Sequence, residues 1–225
     1  MKKNILPIAF LSVFCCVFFL FSCKKDIKTE PVAPISNPDG FAIPVASPLQ
    51  GSITGQIVDE HNAPVPSAEV SFGGTVYTTN ANGFFHVNDV MLDKYVTTVT
   101  VHKTGYFKGI RSFSATPGRN YVNIKLIPKT VTATINAANG GTAGLSNGTN
   151  LVFPANGIVV KSTGAAYTGS MQVYAAFIDP TTQDFGNVVP GNMVGQDATN
   201  MFALQSAGMI AVELESPSGE ALQLA

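Results

Sequence analysis

The chain has 225 residues, and 13 Lys and Arg against 14 Asp and Glu leave a formal net charge of −1. A balance this near zero gives no overall basic field to recruit nucleic acid. Tryptophan is absent, which removes the best stacking ring for a carbohydrate, although Tyr77, Tyr95 or Tyr121 would substitute where exposed.

The chain opens with Lys2 and Lys3, an apolar run from Ile5 to Phe21, and then Leu20-Phe21-Ser22-Cys23. A basic start, a short apolar middle and small residues at a cut site make a secretory signal. The competing reading is a transmembrane helix, because the run approaches the roughly 20 residues that cross a bilayer. Pro7 weighs against it, and lysines on both flanks, with Lys24 and Lys25 after the run, remove the asymmetry that orients a span. Leu20-Phe21-Ser22-Cys23 resembles the lipobox of bacterial lipoproteins. The resemblance implies cleavage after Ser22 and acyl chains on the thiol and new amine of Cys23, making the membrane a partner through that anchor. At about 0.8 kcal/mol per buried methylene, several chains hold far more firmly than one. Cys15 and Cys16 would leave with the signal, so no internal disulfide forms and stability comes from packing. Lys24-Lys25-Asp26 is similar to the starts of outer-membrane or surface-exposed lipoproteins of Gram-negative bacteria; its other reading is a solvated tether.

Residues 23–50 carry Pro31, Pro34, Pro38, Pro44 and Pro48, with apolar residues scattered at no period that builds a core. Such spacing predicts an extended, flexible tether, about 80 Å long if stretched at about 3.1 Å per residue.

From Gly51 the pattern changes to alternating β-formers between turns. Ile53, Gly55 and Ile57 alternate with polar neighbours, as do Val70 with Phe72, Val99 with Val101, and Val122, Ile124 and Leu126. Period two with frequent turns predicts antiparallel sheets that each hide one face, and residues 51–129 are expected to form a small β-sandwich near the lower size limit for an unstapled core. Residues 130–225 read as a second β-rich module. Asn139-Gly140-Gly141 and Asn147-Gly148 signal turns, Leu151-Val152-Phe153 before Pro154 a short strand, and Met171, Val173, Ala175 and Ile210, Val212, Leu214 further strands. The chain stops at Leu222-Gln223-Leu224-Ala225 in mid-pattern, the expectation for a truncated chain. Charge divides the two: Lys94, Lys103, Lys108, Arg111, Arg119, Lys125 and Lys129 make the first basic, while Asp179, Asp184, Asp197, Glu213, Glu215 and Glu220 against Lys161 make the second acidic.

Gly55-Gln56-Ile57-Val58-Asp59, Pro64 to Val70, Thr79-Asn80-Ala81-Asn82-Gly83-Phe84-Phe85 and Lys103-Thr104-Gly105-Tyr106 follow in order, and in that order they resemble the carboxypeptidase regulatory-like domain. The resemblance implies a transthyretin-like antiparallel sandwich of about seven strands, an accessory and not a catalytic module. The family carries Gly where Asn62 and Ser67 stand here. Asn tolerates the left-handed region that Gly permits, and Ser does so less readily, which puts the second turn's geometry in question. Phe153-Pro154-Ala155-Asn156-Gly157, Tyr167-Thr168-Gly169, Asp179-Pro180-Thr181, Val189-Pro190-Gly191-Asn192 and Leu204-Gln205-Ser206-Ala207-Gly208-Met209 are distantly similar to extracellular β-rich segments that follow such sandwiches in cartilage intermediate layer proteins, a resemblance that implies no function.

No catalytic, cofactor or metal site is expected. Gly144-Leu145-Ser146-Asn147-Gly148 fits the G-x-S-x-G pattern, but no histidine follows it to activate the serine. His61, His86 and His102 lack metal-ligand spacing, and Asn80-Ala81-Asn82-Gly83 reads as a turn, not a calcium loop. Asp179, Asp184 and Asp197 are expected as isolated surface acids. The tentative ligand surface is Lys103, Tyr106, Lys108 and Arg111, where cations around Tyr106 and Phe107 suit anionic glycan or lipid headgroups; the alternative is that the two rings cap the sandwich while the cations face water. Taken together, the residues predict a non-catalytic, lipid-anchored envelope protein that meets a protein or glycan partner. The alternatives are a carbohydrate-binding accessory of a polysaccharide uptake system and the non-catalytic part of a larger envelope enzyme.

Overall fold

The computed structural model describes residues 35–36, 46–196 and 200–225; the signal segment and Cys23 lie outside the described residues. The fold is all-β. The strands are β1 (Ile35–Ser36), β2 (Pro48–Val58), β3 (Glu69–Phe72), β4 (Thr75–Thr78), β5 (Phe84–Asp93), β6 (Thr97–His102), β7 (Gly109–Phe113), β8 (Gly118–Lys125) and β9 (Val131–Asn136). After them come β10 (Gly141–Gly144), β11 (Asn150–Phe153), β12 (Ile158–Val160), β13 (Ser170–Ile178), β14 (Val194–Gln196), β15 (Asn200–Ala203), β16 (Met209–Glu215) and β17 (Ala221–Leu224), with one short helix, α1 (Phe185–Val188), between β13 and β14.

Seven strands build the first sandwich, in a three-stranded sheet ordered β5-β2-β8 and a four-stranded sheet ordered β4-β3-β6-β7. The alternation read from sequence is what closes it. Ile53 and Ile57 of β2, Phe85 and Val87 of β5, and Val122 and Ile124 of β8 face Val70 and Phe72 of β3 and Val99 and Val101 of β6 in one core. Gly55 is also inward and lies between Phe85 and Val122 on the flanking strands; a Cβ there would sit 2.2 Å from a Phe85 ring carbon. The missing side chain is therefore what lets the ring lie across β2.

Three features differ from the sequence expectation. β2 and β8 pair in parallel, Gly51 to Val58 against Gly118 to Lys125, so the sheets are not uniformly antiparallel; period two fixes which residues face inward but not the direction of the neighbouring strand. β2 begins at Pro48, three residues ahead of the Gly51 boundary, because a first strand position tolerates a residue without an N–H. Ile35 and Ser36, inside the stretch read as tether, pair with Met201 and Asn200 of β15.

A bulge explains a change of parity along β5. Phe85 and Val87 point inward, then Leu92 does, and the register against β2 slips between Gly51 and Ile53. Asp89, at φ 51°, takes up the extra residue. Asn120 is the one buried amide in this sheet. Its Oδ1 accepts from the Thr116 amide at 2.9 Å, and its Nδ2 donates to the carbonyls of Thr116 at 2.9 Å and Ser52 at 3.3 Å, which pins the β7–β8 turn to β2 without an unmet polar group.

Residues 131–225 hold a second core. A five-stranded sheet ordered β12-β17-β16-β13-β9 and the β10-β11 hairpin enclose Ile135, Ala143, Phe153, Ile158, Met171, Val173, Leu214 and Leu222. β15 pairs with β1 on one side and β14 on the other in a separate three-stranded sheet.

Candidate functional site

Between the two cores runs the segment Leu126 to Thr130, and its last cation, Lys129, organises a cleft of about 300 Å³ lined by His102, Lys103, Thr104, Gly105, Tyr106, Lys129, Tyr174 and Glu215. The segment is fixed by backbone pairing, since Phe107 donates to the Ile127 carbonyl at 2.8 Å and Lys129 donates to the Gly105 carbonyl at 2.8 Å. On the opposite wall, β13 and β16 pair Tyr174 with Glu213 and Gln172 with Glu215. Because residues two apart share a face, Glu213 and Glu215 both point at the lysine.

Lys129 Nζ lies 2.6 Å from Glu213 Oε2 and 2.5 Å from Glu215 Oε1, and 4.7 Å from the centre of the Tyr174 ring. Its side chain is only 16% exposed. Burial works to lower its pKa, but the hydrogen bonds to Glu213 and Glu215 and their charges outweigh burial and hold the lysine above its ordinary value. Burial and then the Glu215 charge raise the Tyr174 phenol; its hydroxyl donates to Gln172 Oε1 at 2.9 Å. Two further contacts tie the halves together. Lys125 meets Asp184 at 2.8 Å, and the Arg111 guanidinium donates to the Gly186 carbonyl of α1. The basic and acidic halves noticed in the sequence are thus partly spent on each other.

The four residues of the tentative ligand surface are not brought together. Lys103 and Tyr106 line the cleft, whereas Lys108 and Arg111 do not. Lys103 Nζ donates to the Pro66 carbonyl at 2.7 Å and the Ser67 carbonyl at 3.3 Å, and Arg111 is held by Gly186. Tyr106 is half-buried against the first core, and burial, then Glu60 and Asp59, raise its pKa. Phe107 is buried. The segment therefore caps the sandwich, and two of its three cations hold backbone. Glu213, Glu215 and Tyr174 were missed by reading positions singly; the signal was present as Glu-x-Glu on a predicted strand beside a basic neighbour module.

The other candidates resolve into turns and surface contacts. Ser146 sits in the β10–β11 hairpin turn, where Gly148 donates to the Leu145 carbonyl at 3.0 Å. Asn80 Oδ1 accepts from the amides of Asn82 at 2.9 Å and Phe84 at 3.0 Å, so it is occupied in closing the turn. His61 lies 3.6 Å from Glu60, His102 lies 3.6 Å from Glu69, and His86 Nδ1 is 2.7 Å from Thr54 Oγ1. Among the described residues no three His, Cys, Asp or Glu side chains gather as a metal site, and no helix is long and apolar enough to cross a membrane. Asp179 accepts from Thr181 Oγ1 at 2.7 Å and from the Thr181 amide at 2.8 Å, which lowers its pKa. Asp197 lies outside the described residues. Of the tyrosines, Tyr77 stacks on Phe72 at 5.3 Å, and Tyr121 is 70% exposed.

No family model and no curated protein matches the chain. Solved structures align with it loosely. The Bacillus anthracis TIE protein is 14% identical over 71% of this chain with a TM-score of 0.29, and the chain spans 32% of that protein's length. A Bacteroides fragilis protein of unknown function, provisionally described as membrane-associated, is 12% identical over 78% of this chain and 84% of its own, with a TM-score of 0.31. A Bacteroides uniformis protein provisionally described as carbohydrate binding is 17% identical over 75% of this chain and 80% of its own, with a TM-score of 0.29. Likenesses this loose carry no assignment.

Proposed function

We propose that this is a non-catalytic, lipid-anchored cell-envelope protein that presents β-sandwich modules to a protein or glycan partner, at the outer membrane of a Gram-negative bacterium. The observation that carries the reading is Leu20-Phe21-Ser22-Cys23 at the end of a basic-then-apolar leader. Acylation there consumes the one thiol left after cleavage, and so also removes a group open to oxidation. Lys24-Lys25-Asp26 supports the outer-membrane address. The prolines after it support a spacer between the anchor and the folded part.

We assign residues 51–129 to the carboxypeptidase regulatory-like family on their motifs. Two observations support it. The sandwich has seven strands, β2 to β8. Asn62 at φ 63° and Ser67 at φ 53° hold the left-handed conformation that glycine, the family's residue at both positions, adopts without strain. An accessory role follows from that assignment, and the Lys129 cluster fits it, because a cation shared by two carboxylates and a tyrosine face is a clamp between modules.

Growth with radiolabelled palmitate tests the anchor. The label is expected on the wild type and lost in Cys23→Ala. A wild type that takes no label, or a variant that keeps it, overturns the proposal.

A further inference from the structure

The outer face of the β5-β2-β8 sheet carries a grid of exposed and half-exposed side chains. Period two puts them there. With Ile53, Gly55 and Ile57 turned into the core, Thr54 and Gln56 turn out, as do Phe84 and His86 of β5 and Tyr121 and Asn123 of β8. The register sets the rows, because Thr54 lies opposite His86 on one side and Tyr121 on the other, while Gln56 lies opposite Phe84 and Asn123. The two aromatic rings therefore occupy opposite corners of a two-by-three array. Strand spacing of about 4.8 Å and a rise of about 3.3 Å per residue place them about 12 Å apart.

Both rings face water. Tyr121 is 70% exposed and Phe84 43% exposed, while their inward neighbours Phe85 and Val122 fill the core. Between the rings stand two amides, a hydroxyl and an imidazole, with Thr54 Oγ1 and His86 Nδ1 already 2.7 Å apart. The grid itself holds no Lys, Arg, Asp or Glu; Arg119, opposite Ser52, and Lys125, opposite Val58, stand in the rows on either side, and Lys125 is paired with Asp184.

From this arrangement we infer that the β5-β2-β8 face is a binding site for an extended neutral glycan. The inference rests on the proposed glycan partner and names its site and class. Flat apolar C–H faces of pyranose rings suit the two exposed aromatics, and ring hydroxyls suit amides and hydroxyls that both donate and accept. Charge complementarity separates this occupant from others. An anionic polymer needs a set of free cations, yet the grid has none, and Lys103 and Arg111 are committed to the carbonyls of Pro66, Ser67 and Gly186. A protein partner seeks an apolar centre, whereas here the centre is polar and the rings stand at the corners. The ligand sits on the sheet as on a rack, held by rigid strands that need not move.

The test is affinity electrophoresis of the full chain in mild detergent through gels containing laminarin, xyloglucan or mannan, with polygalacturonate as the anionic comparison. At least one neutral polysaccharide is expected to retard the wild type, and retardation is expected to be lost in Phe84→Ala and in Tyr121→Ala. Tyr95→Ala, an exposed ring away from this face, keeps it. Because the substituted positions face water, thermal melts of the variants should match the wild type. Retardation that survives both substitutions, retardation by polygalacturonate alone, or none in any gel overturns the inference. The envelope proposal is scored separately by palmitate label on the same preparation, so either can fail without the other.

Discussion

Gly55→Ala is expected to destabilise the first sandwich although it adds a single methyl group. A Cβ at residue 55 would lie 2.2 and 2.5 Å from two carbons of the Phe85 ring and 2.8 Å from a Val122 methyl. Ordinary carbon contacts are about 3.5–4.0 Å, so the ring must retreat by more than an ångström. It has no open space to enter, since Phe85 is 3% and Val122 4% exposed. Overpacking of this kind costs about 1–3 kcal/mol, and blockage from both flanking strands puts the cost at the upper end. Loss of glycine's backbone freedom in the unfolded chain returns about 0.5–1 kcal/mol. The net is about 2 kcal/mol, which lowers the urea midpoint by about 1 M for an m-value near 2 kcal/mol/M. Phe85→Leu removes the obstructing ring, so the double variant should be less destabilised than the sum of the singles by about 1 kcal/mol or more. A Gly55→Ala midpoint at or above wild type, or strict additivity in the cycle, refutes the packing of Phe85 across β2.

Lys129→Met leaves Glu213 and Glu215 facing each other without their cation and is expected to cost about 1–2 kcal/mol by urea titration, between the values for exposed and buried pairs; an unchanged midpoint would show the clamp to be idle. Because Lys129's folded pKa is raised, its contribution is complete below the unfolded lysine value and is lost as pH rises through the folded one, so the wild type should lose more stability than Lys129→Met in strongly alkaline buffer. Asp93 runs the other way. Amides of Val96 and Tyr95, with Ser47, lower its pKa, so its contribution is present above pH ~4 and lost as pH falls through the folded value; Asp93→Asn should flatten the acid limb of a stability–pH curve, and an unaltered limb contradicts the assignment. Ser67→Gly relieves a left-handed residue and should stabilise by about 0.5–1 kcal/mol after glycine's entropy is subtracted, read as a higher urea midpoint; a lower one means the turn is unstrained.

The inward residues of the first sandwich were legible because a half-buried strand repeats every two positions, and Ile53, Ile57, Val99, Val101, Val122 and Ile124 all sit in the core. Alternation carries no partner direction, so the parallel β2–β8 pair was not legible, nor was the bulge at Asp89, whose extra residue reverses the phase in mid-strand. Ile210 and Val212 show the limit of pattern. They continue the alternation that buries Leu214, yet are 38% and 42% exposed, since burial depends on what stands opposite. The Lys129 cluster lies across a long sequence gap, and only the complementary charge of the two halves hinted at it. Phe84-Phe85 was ambiguous for a different reason: two adjacent aromatics offer no contrast, and it took register to place one in the core and the other on the outer grid.

Mass spectrometry of the mature protein extracted from membranes reads the anchor itself. The expected species begins at Cys23 and carries the added mass of its acyl groups. A chain that still begins at Met1, or a Cys23 N-terminus without lipid mass, would contradict it.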